Sequence, residues 1–325
     1  MKILFVVDPL EKLQPGHDTS VALMQAAQRS GHQVWIAEVG DLQIQEHRAF
    51  AKMKAITLLD SKKPFYAVHQ SLFAPLSTAD AIWMRKDPPV TPDYIWATQI
   101  LDLVDVGRSD GKTTVVLNGP RGLRECNEKI YALHFPTLTP ETIVCRHRQE
   151  ILDFVAHHQK AVIKPLDGKG GEGIFMLSQA DRNINAIIEM STQYGQRHVM
   201  VQRYLPESRQ GDKRILLLEG EPIGAVLRIP REDDLRGNMA AGGRVAKTSL
   251  TEREEKICRI LGPRLVADGH YFVGIDVIGD YLTEINVTSP TGICEIDILD
   301  GVVLEDTVMN WLDKFVATAQ KISIY

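Results

Sequence analysis

The sequence predicts an α/β N-terminal domain with an open, mostly parallel sheet, followed by an α+β domain of two lobes. Three observations support this: strands and helices alternate early in the chain, the pattern changes near residue 125, and the remainder holds hairpins with glycine-bearing turns. A length of 325 residues favours about two domains. We predict domains at 1–124 and 125–325, with a central lobe at about 125–203 and a C-terminal lobe at about 204–325.

The first domain opens with an apolar segment, Ile3–Val7, typical of a buried strand. Asp18 or Thr19 can cap the following helix, which we expect to end just before Gly31. Further predicted elements are strands at 34–39, 81–84 and 114–117 and a helix at 94–104. Ligands of such sheets bind beyond the carboxyl ends of strands, which is where Arg85–Asp87 lies.

The second domain is predicted to start with a helix opening at Asn127–Lys129. We expect strands at 142–145 and 161–164 and β-hairpins around 219–220 and 272–287. The stretch 231–244 contains glycines and shows no apolar periodicity, which favours a lid.

Composition describes an ordinary globular protein, with 44% hydrophobic and 24% charged residues. The net charge of -5 argues against a general nucleic-acid binder. The four cysteines form no CxxC pair, so neither a disulfide framework nor a cysteine zinc site is indicated, and a reducing cytoplasm fits. The apolar start is interrupted by Asp8-Pro9, which indicates a strand rather than a signal peptide. No run approaches the roughly 18 apolar residues needed to cross a bilayer, so we expect no membrane partner.

The hairpin Phe272–Val287 is the most informative segment, because it carries Asp276, Glu284 and Asn286 among apolar residues. A two-residue turn would pair Asp276 with Thr283 and scatter the polar side chains over both faces. A three-residue turn at 279–281 pairs Asp276 with Glu284 instead, and we predict this register. It leaves one nearly uniform apolar face, made of Val273, Ile275, Val277, Thr283, Ile285 and Val287.

Two carboxylates and an amide carbonyl on one face are hard oxygen ligands of the kind that Mg²⁺ prefers. Because Mg²⁺ takes its remaining ligands from waters and substrate phosphates, the hairpin is typical of half a nucleotide site. The alternative is a solvated sheet face, whose side chains alternate in the same way, and spacing alone does not decide between the two.

A glycine-rich segment at 167–173, DGKGGEG, matches GxGxxG, but a strand rather than a helix follows it. The dinucleotide interpretation therefore fails, and the GK[ST] ending of a Walker A loop is absent. The segment is instead predicted to be a flap between two strands. Backbone N–H groups at Gly170 and Gly171 can then close over phosphate oxygens. Lys164 would add a positive charge nearby. An ordinary hairpin tip is the alternative.

Other candidates are cations at strand ends and one strand terminus. Any single cation is most often a solvated charge; the candidates are Lys129, Arg214, Arg228 and Arg244. The segment Gln202–Leu205 ends a predicted strand and could contact an adenine ring, although a simple core strand explains it equally well.

Taken together, these segments resemble the ATP-grasp ligases. The tracts MRKDPP at 84–89, AAGGR at 240–244 and LTEINVTSPT at 282–291 are similar to those of the prokaryotic-type glutathione synthetases, and the resemblance covers nearly the whole chain. It implies ATP-dependent ligation of γ-L-glutamyl-L-cysteine to glycine through an acyl phosphate, in a cytoplasmic homotetramer that acts on small molecules.

The resemblance also implies residue roles. ATP would be held by Lys129, Lys164, Gly170, Gly171, Gln202, Arg203, Tyr204, Leu205 and Asp212. Mg²⁺ or Mn²⁺ would be bound by Asp276, Glu284 and Asn286. Arg214 and Arg228 would lie near the reacting groups, and Arg85, Arg244 and Ser289 would contact substrate.

Two rival functions remain open at this point. One is another ATP-grasp ligase, such as a D-alanine:D-alanine ligase or a ligase that adds glutamate to a protein terminus. The other is a regulatory ATP-binding protein without turnover, which the three retained metal-ligand candidates disfavour.

Overall fold

The computed structural model describes residues 1–60, 64–231 and 242–322. The predicted lid at 231–244 therefore falls mostly outside the described residues, because 232–241 are not among them. Within the described ranges, no helix combines the length and the apolar character that a bilayer span requires.

The N-terminal domain is an α/β unit, as predicted. Its elements are β1 (Lys2–Val6), α1 (Thr19–Arg29), β2 (Gln33–Ala37), β3 (Leu42–Gln45), β4 (Arg48–Leu58), β5 (Tyr66–Pro75), β6 (Ala81–Met84), α2 (Pro92–Leu101), β7 (Val115–Leu117) and α3 (Pro120–Glu125). Strands β2, β1, β6 and β7 pair in parallel. Strands β3, β4 and β5 extend this sheet with antiparallel pairs that the sequence analysis did not predict.

Helix α1 begins as its sequence predicts. Asp18 is the N-cap, and its side chain accepts a hydrogen bond of 2.7 Å from the backbone N–H of Ser20. Leu23 and Ala26 are fully buried on the face that packs on the sheet. Gly31 follows the helix with φ of 77°, a left-handed conformation that favours glycine.

The second domain contains two antiparallel sheets. The central lobe comprises β8 (Thr142–Cys145), α4 (Arg148–His158), β9 (Lys160–Pro165), β10 (Phe175–Ser178), α5 (Ile184–Ser191) and β11 (Val199–Arg203), with strand order β10-β9-β11-β8. The C-terminal lobe comprises β12 (Asp212–Leu218), β13 (Glu221–Ile229), β14 (Arg244–Lys247), α6 (Glu252–Ala267), β15 (Phe272–Ile278), β16 (Tyr281–Asn286), α7 (Ile293–Asp300) and α8 (Leu304–Ile322). Its strand order is β14-β13-β12-β15-β16.

The helix predicted to open at Asn127–Lys129 is not an α-helix. These residues form a turn before a short 3₁₀ helix at Tyr131–His134. The side-chain oxygen of Asn127 accepts hydrogen bonds of 3.1 Å from the backbone N–H groups of Lys129 and Ile130. These are the bonds of a helix N-cap, and Tyr131 N also donates to Asn127 O at 2.8 Å, but only one turn forms before the 3₁₀ helix.

The hairpin register is confirmed in one respect and corrected in another. Asp276 pairs with Glu284, as predicted, but the turn has two residues, because Ile278 pairs with Tyr281. The register shifts before Val277, which pairs with Leu282, so Thr283 is an extra residue. The predicted three-residue turn is therefore wrong. Leu282 takes the place expected for Thr283 in the apolar core, and Thr283 lines a cavity instead.

The two predicted domains share their hydrophobic cores. Helix α8 packs on α1, and buried Val308, Met309 and Leu312 lie in one cluster with Leu23. Asn118, which follows β7, adds a polar connection: its amide nitrogen donates to Phe272 O at 2.8 Å and Val287 O at 2.7 Å. Its oxygen accepts from two backbone N–H groups, those of Tyr271 and Phe272, each at 2.9 Å. The junction is therefore part of the folded interior.

Candidate active site

A cavity of about 580 Å³ lies between the two lobes and is closed on one side by the loop after β6. Most of the predicted site residues line it. They are Lys129, Lys164, Gly170, Gly171, Gln202, Arg203, Tyr204, Leu205, Asp212, Arg214, Arg228, Asp276, Glu284, Asn286 and Ser289.

Two predicted substrate residues do not line this cavity. Arg85 is only 2% exposed, and its Nε and Nη2 donate to Ser20 Oγ at 3.0 Å and Pro290 O at 2.9 Å. Burial lowers the pKa of Arg85 to about 10, so its guanidinium stays charged at neutral pH. Arg244 is exposed at the start of β14. Direct substrate contact is therefore not supported for either side chain in this arrangement.

Asp276 lies at the centre of the charged wall of the cavity. Arg214 donates to it from Nε at 2.5 Å and from Nη2 at 3.0 Å, and Arg228 Nη2 lies 2.9 Å from Asp276 Oδ2. Burial alone would raise the pKa of Asp276, but the two guanidinium groups outweigh it and hold that pKa well below its usual range. Arg228 Nε also donates to Asp212 Oδ1 at 2.5 Å. Asp276 is consequently ionised and held in one orientation.

Two lysines face this wall. Lys129 Nζ lies 3.0 Å from Glu284 Oε1 and donates to Gly168 O at 2.8 Å. Burial opposes the charge of Lys129, yet Glu284 outweighs it and raises the lysine pKa. Lys164 Nζ donates to Gln202 Oε1 at 2.6 Å, and burial lowers the Lys164 pKa. A polyanion entering the cavity would meet both ammonium groups.

The three predicted metal ligands share one wall. Asn286 Nδ2 lies 3.4 Å from Asp276 Oδ2, and Glu284 is the strand partner of Asp276. Where residue positions are described, no three His, Cys, Asp or Glu side chains form a cluster able to hold an ion. The candidate metal ligands are instead two carboxylates and one side-chain amide. Their oxygen atoms are hard ligands, which fit Mg²⁺ or Mn²⁺.

The candidate adenine segment lies at the end of β11. Gln202 is buried, and its Nε2 donates to Thr142 Oγ1 at 3.1 Å. The backbone N–H of Arg203 donates to Glu141 O at 2.9 Å, and that of Tyr204 donates to Lys160 O at 3.2 Å. These two N–H groups already have partners, so contact with an adenine edge would depend on the other backbone groups of 203–205.

The glycine flap connects β9 to β10, as predicted. Gly170 and Gly171 have φ of 60° and 84°, which allows the backbone to turn sharply there. Lys169 Nζ lies 3.0 Å from Asp87 Oδ2, so the flap contacts the N-terminal domain across the cavity.

Glu128 is the main residue that the sequence analysis missed. It lines the cavity, and its Oε1 accepts hydrogen bonds from Val287 N at 2.9 Å, Thr288 N at 3.0 Å and Thr288 Oγ1 at 2.8 Å. Burial and the nearby Glu284 raise the pKa of Glu128, against the hydrogen bonds from Thr288. Its only sequence signal is its position beside Lys129. Thr288 and Thr291 also line the cavity and were not predicted, whereas Asp87, which lines it too, lies at the strand end where ligand binding was expected.

Comparison with known families gives two matches that together span most of the chain. The family described as prokaryotic glutathione synthetase, N-terminal domain, matches residues 1–124. The family described as prokaryotic glutathione synthetase, ATP-grasp domain, matches residues 128–301.

Curated relatives similar to this chain carry the name glutathione synthetase. The protein of Gloeobacter violaceus is 73% identical over 98% of this chain and 98% of its own length. That of Thermosynechococcus vestitus is 54% identical over 96% of this chain and 99% of its own length. That of Nitrosomonas europaea is 42% identical over 98% of this chain and 99% of its own length.

Solved structures with a similar fold are far more distant in sequence. D-cycloserine synthetase DcsG superimposes with a TM-score of 0.64 at 12% identity, over 94% of this chain and 98% of its own. The ATP-grasp ligase PsnB, complexed with a precursor variant, Mg and ADP, gives 0.61 at 14% identity, over 98% of both chains. At this identity the likeness shows a common fold.

Proposed function

We propose that this chain, which belongs to the prokaryotic glutathione synthetase family, joins γ-L-glutamyl-L-cysteine to glycine while ATP is cleaved to ADP and phosphate. Its family and its fold make it an ATP-dependent ligase. The observation that carries the proposal is a single cavity in which Lys129 and Lys164 face the paired carboxylates of the β15–β16 hairpin.

The reaction has two steps. First, the cysteinyl carboxylate attacks the γ-phosphorus of ATP, which forms an acyl phosphate and releases ADP. The glycine amine then attacks the acyl carbonyl carbon, and the tetrahedral intermediate expels phosphate while the amine loses a proton. Neither step needs a covalent bond to a side chain, so the protein contributes mainly position and charge.

The side chains around the cavity have separate tasks in this proposal. Lys129 and Lys164 would neutralise phosphate oxygens, and the backbone at Gly170 and Gly171 would cover them. Residues 202–205 would hold the adenine. Arg214 and Arg228 would lie near the transferred phosphoryl group and the acceptor carboxylate, and Asp212 would orient Arg228 through their ion pair at 2.5 Å.

Asp276, Glu284 and Asn286 would hold Mg²⁺ or Mn²⁺. When bound, such an ion offsets the charge of the triphosphate. Arg214 and Arg228 pair with Asp276, and Lys129 pairs with Glu284, so each of these buried or partly buried carboxylates has a cationic partner.

ADP release measured with purified protein tests the proposal. We expect release that requires both γ-glutamylcysteine and glycine and that yields glutathione. Release with D-alanine alone, or ATP binding without release, would contradict it.

A variant tests the proposed metal site separately. Glu284→Gln should keep the fold and lower ligation by about two orders of magnitude or more. The matched control is Glu252→Gln, an exposed position on α6 that we expect to leave ligation unchanged. Near-normal activity of Glu284→Gln would contradict the metal assignment.

The family resemblance also leads us to propose a cytoplasmic homotetramer. Light scattering on the purified protein should then give a mass about four times that of the 36.4 kDa chain. A monomer at micromolar concentration would contradict this.

A further inference from the structure

The loop 287–292 connects β16 to α7, and three of its residues, Thr288, Ser289 and Thr291, line the cavity. Its backbone is held by side chains from several distant parts of the chain. A connecting loop usually lies at the surface, where water satisfies its polar groups. A loop held by such hydrogen bonds is more rigid than a loop whose polar groups bind water.

Glu128 holds the beginning of the loop. One carboxylate oxygen accepts three hydrogen bonds, of 2.8 to 3.0 Å, from Val287 N and from the backbone and hydroxyl of Thr288. Three donors on a single oxygen fix the orientation of this carboxyl group and of the backbone at 287–288. They compensate the burial of this carboxylate, which the nearby Glu284 also disfavours.

Arginines hold the second half of the loop. Arg85 Nη2 donates to Pro290 O at 2.9 Å, and Arg214 Nη1 donates to Thr291 O at 3.1 Å. The hydroxyl of Thr19, at the start of α1, accepts from Gly292 N at 3.2 Å. Arg85 and Thr19 belong to the N-terminal domain, whereas Glu128 and Arg214 belong to the matched ATP-grasp region, so both domains fix this loop.

The loop and the candidate adenine segment lie on different lobes. Residues 202–205 end a strand of the central lobe, while the loop follows the hairpin of the C-terminal lobe and contacts the N-terminal domain. A nucleotide held by 202–205 with its phosphates at Lys129 and Lys164 would leave the loop beside the other substrates.

We propose that Glu128 and Arg85 are positioning residues that fix loop 287–292 as the binding surface for the dipeptide and glycine. This inference rests on the proposed function. It also accounts for Arg85, whose buried guanidinium reaches Pro290 O but does not line the cavity. Arg85 therefore acts through the loop rather than on the substrate.

Steady-state kinetics of Glu128→Gln and Arg85→Lys test this. The first change retains the shape of the side chain but replaces one carboxyl oxygen by an amide nitrogen, which cannot accept hydrogen bonds. In the second, a lysine cannot donate to Ser20 and Pro290 with the fixed fork of a guanidinium. For both variants we expect the KM for γ-glutamylcysteine or glycine to rise on the order of tenfold or more, with a lower kcat. The KM for ATP should change less than about twofold.

Glu254→Gln is the matched control. Glu254 is also a buried carboxylate of the second domain, it lies 2.7 Å from Lys213 Nζ, and it accepts from Thr251 N at 2.7 Å, but it does not line the cavity. We expect this variant to lower the melting temperature and leave all three KM values unchanged. An equal rise in the KM for ATP in Glu128→Gln, no rise in any KM, or the same substrate pattern in Glu254→Gln would overturn the proposal.

Amide hydrogen exchange separates failure of this inference from failure of the proposed function. If the parent protein makes no glutathione, the proposed function fails, but the loop can still be tested. The amides of Val287 and Thr288 donate to Glu128 and should exchange faster in Glu128→Gln than in Glu254→Gln. Unchanged exchange would show that Glu128 does not hold the loop.

Discussion

His270 should make the stability of this protein strongly dependent on pH. It is fully buried at the domain junction, where its Nε2 lies 3.1 Å from Cys126 Sγ and its ring contacts Tyr131 edge to face. Burial lowers the pKa of His270 from 6.5 to about 4, although Asp268 opposes the shift. The folded protein therefore resists protonation of this imidazole.

The direction and size of this pH effect on stability follow from the linkage between proton binding and folding. The unfolded histidine binds a proton first, so its contribution to stability is complete above pH 6.5 and is lost as the pH falls toward about 4. At pH 5 the unfolded imidazole is mostly protonated and the folded one mostly neutral. The corresponding loss in the free energy of unfolding is about 2 kcal/mol relative to pH 7.5.

Urea unfolding at pH 7.5 and pH 5 measures this loss, followed by circular dichroism and tryptophan fluorescence to check that the transitions coincide. The free energy of unfolding of His270→Gln should fall less between the two pH values than that of the parent, by about 2 kcal/mol. His198→Gln, at an exposed histidine, is the control and should fall as the parent does. An equal fall in His270→Gln would refute the reasoning.

Three further substitutions test the junction and a buried ion pair. Asn118→Ala removes the partners of two backbone C=O and two N–H groups and should cost about 3 kcal/mol or more in urea unfolding; a loss below about 1 kcal/mol would contradict this account. Gly122→Ala places a Cβ against the backbone oxygen of Asp268 and should lower the melting temperature, whereas Gly40→Ala, with open space around it, should not. Lys213→Met leaves Glu254 buried without its 2.7 Å cation and should cost about 3 to 5 kcal/mol, and replacing both by apolar residues should recover much of the loss in the same assay.

Much of the fold follows from local sequence patterns. The cap at Asp18, the strand at Ala81–Met84 and the pairing of Asp276 with Glu284 were all predictable, because each depends on residues close in sequence or on a simple alternation of faces. The strands β3 to β5 were missed. Their burial alternates only in β4, and β5 has no buried residue, so it carries no clear period-two signal.

Site residues were predictable where neighbouring functional residues lie on one hairpin or loop. The hairpin carboxylates and the flap glycines are such cases, and they line the cavity as expected. Glu128 could not be identified, since its role depends on contacts with residues about 160 positions away. Arg85 is a second case: its position after a strand end predicted substrate contact, and no sequence feature indicated its 2.9 Å hydrogen bond to Pro290 O. The face on which Thr283 lies was predicted wrongly because a β-bulge shifts the alternation of side chains, and no residue in this hairpin indicates the bulge.

The shared core between α1 and α8 limits how this chain can be divided. A fragment beginning at residue 125 would expose the side chains of Val308, Met309 and Leu312 that α1 covers in the intact protein. The matching fragment 1–124 would lose the cover over Leu23. Each piece made alone would expose an apolar surface, so neither side of the family boundary near residue 124 is a part that we expect to fold by itself.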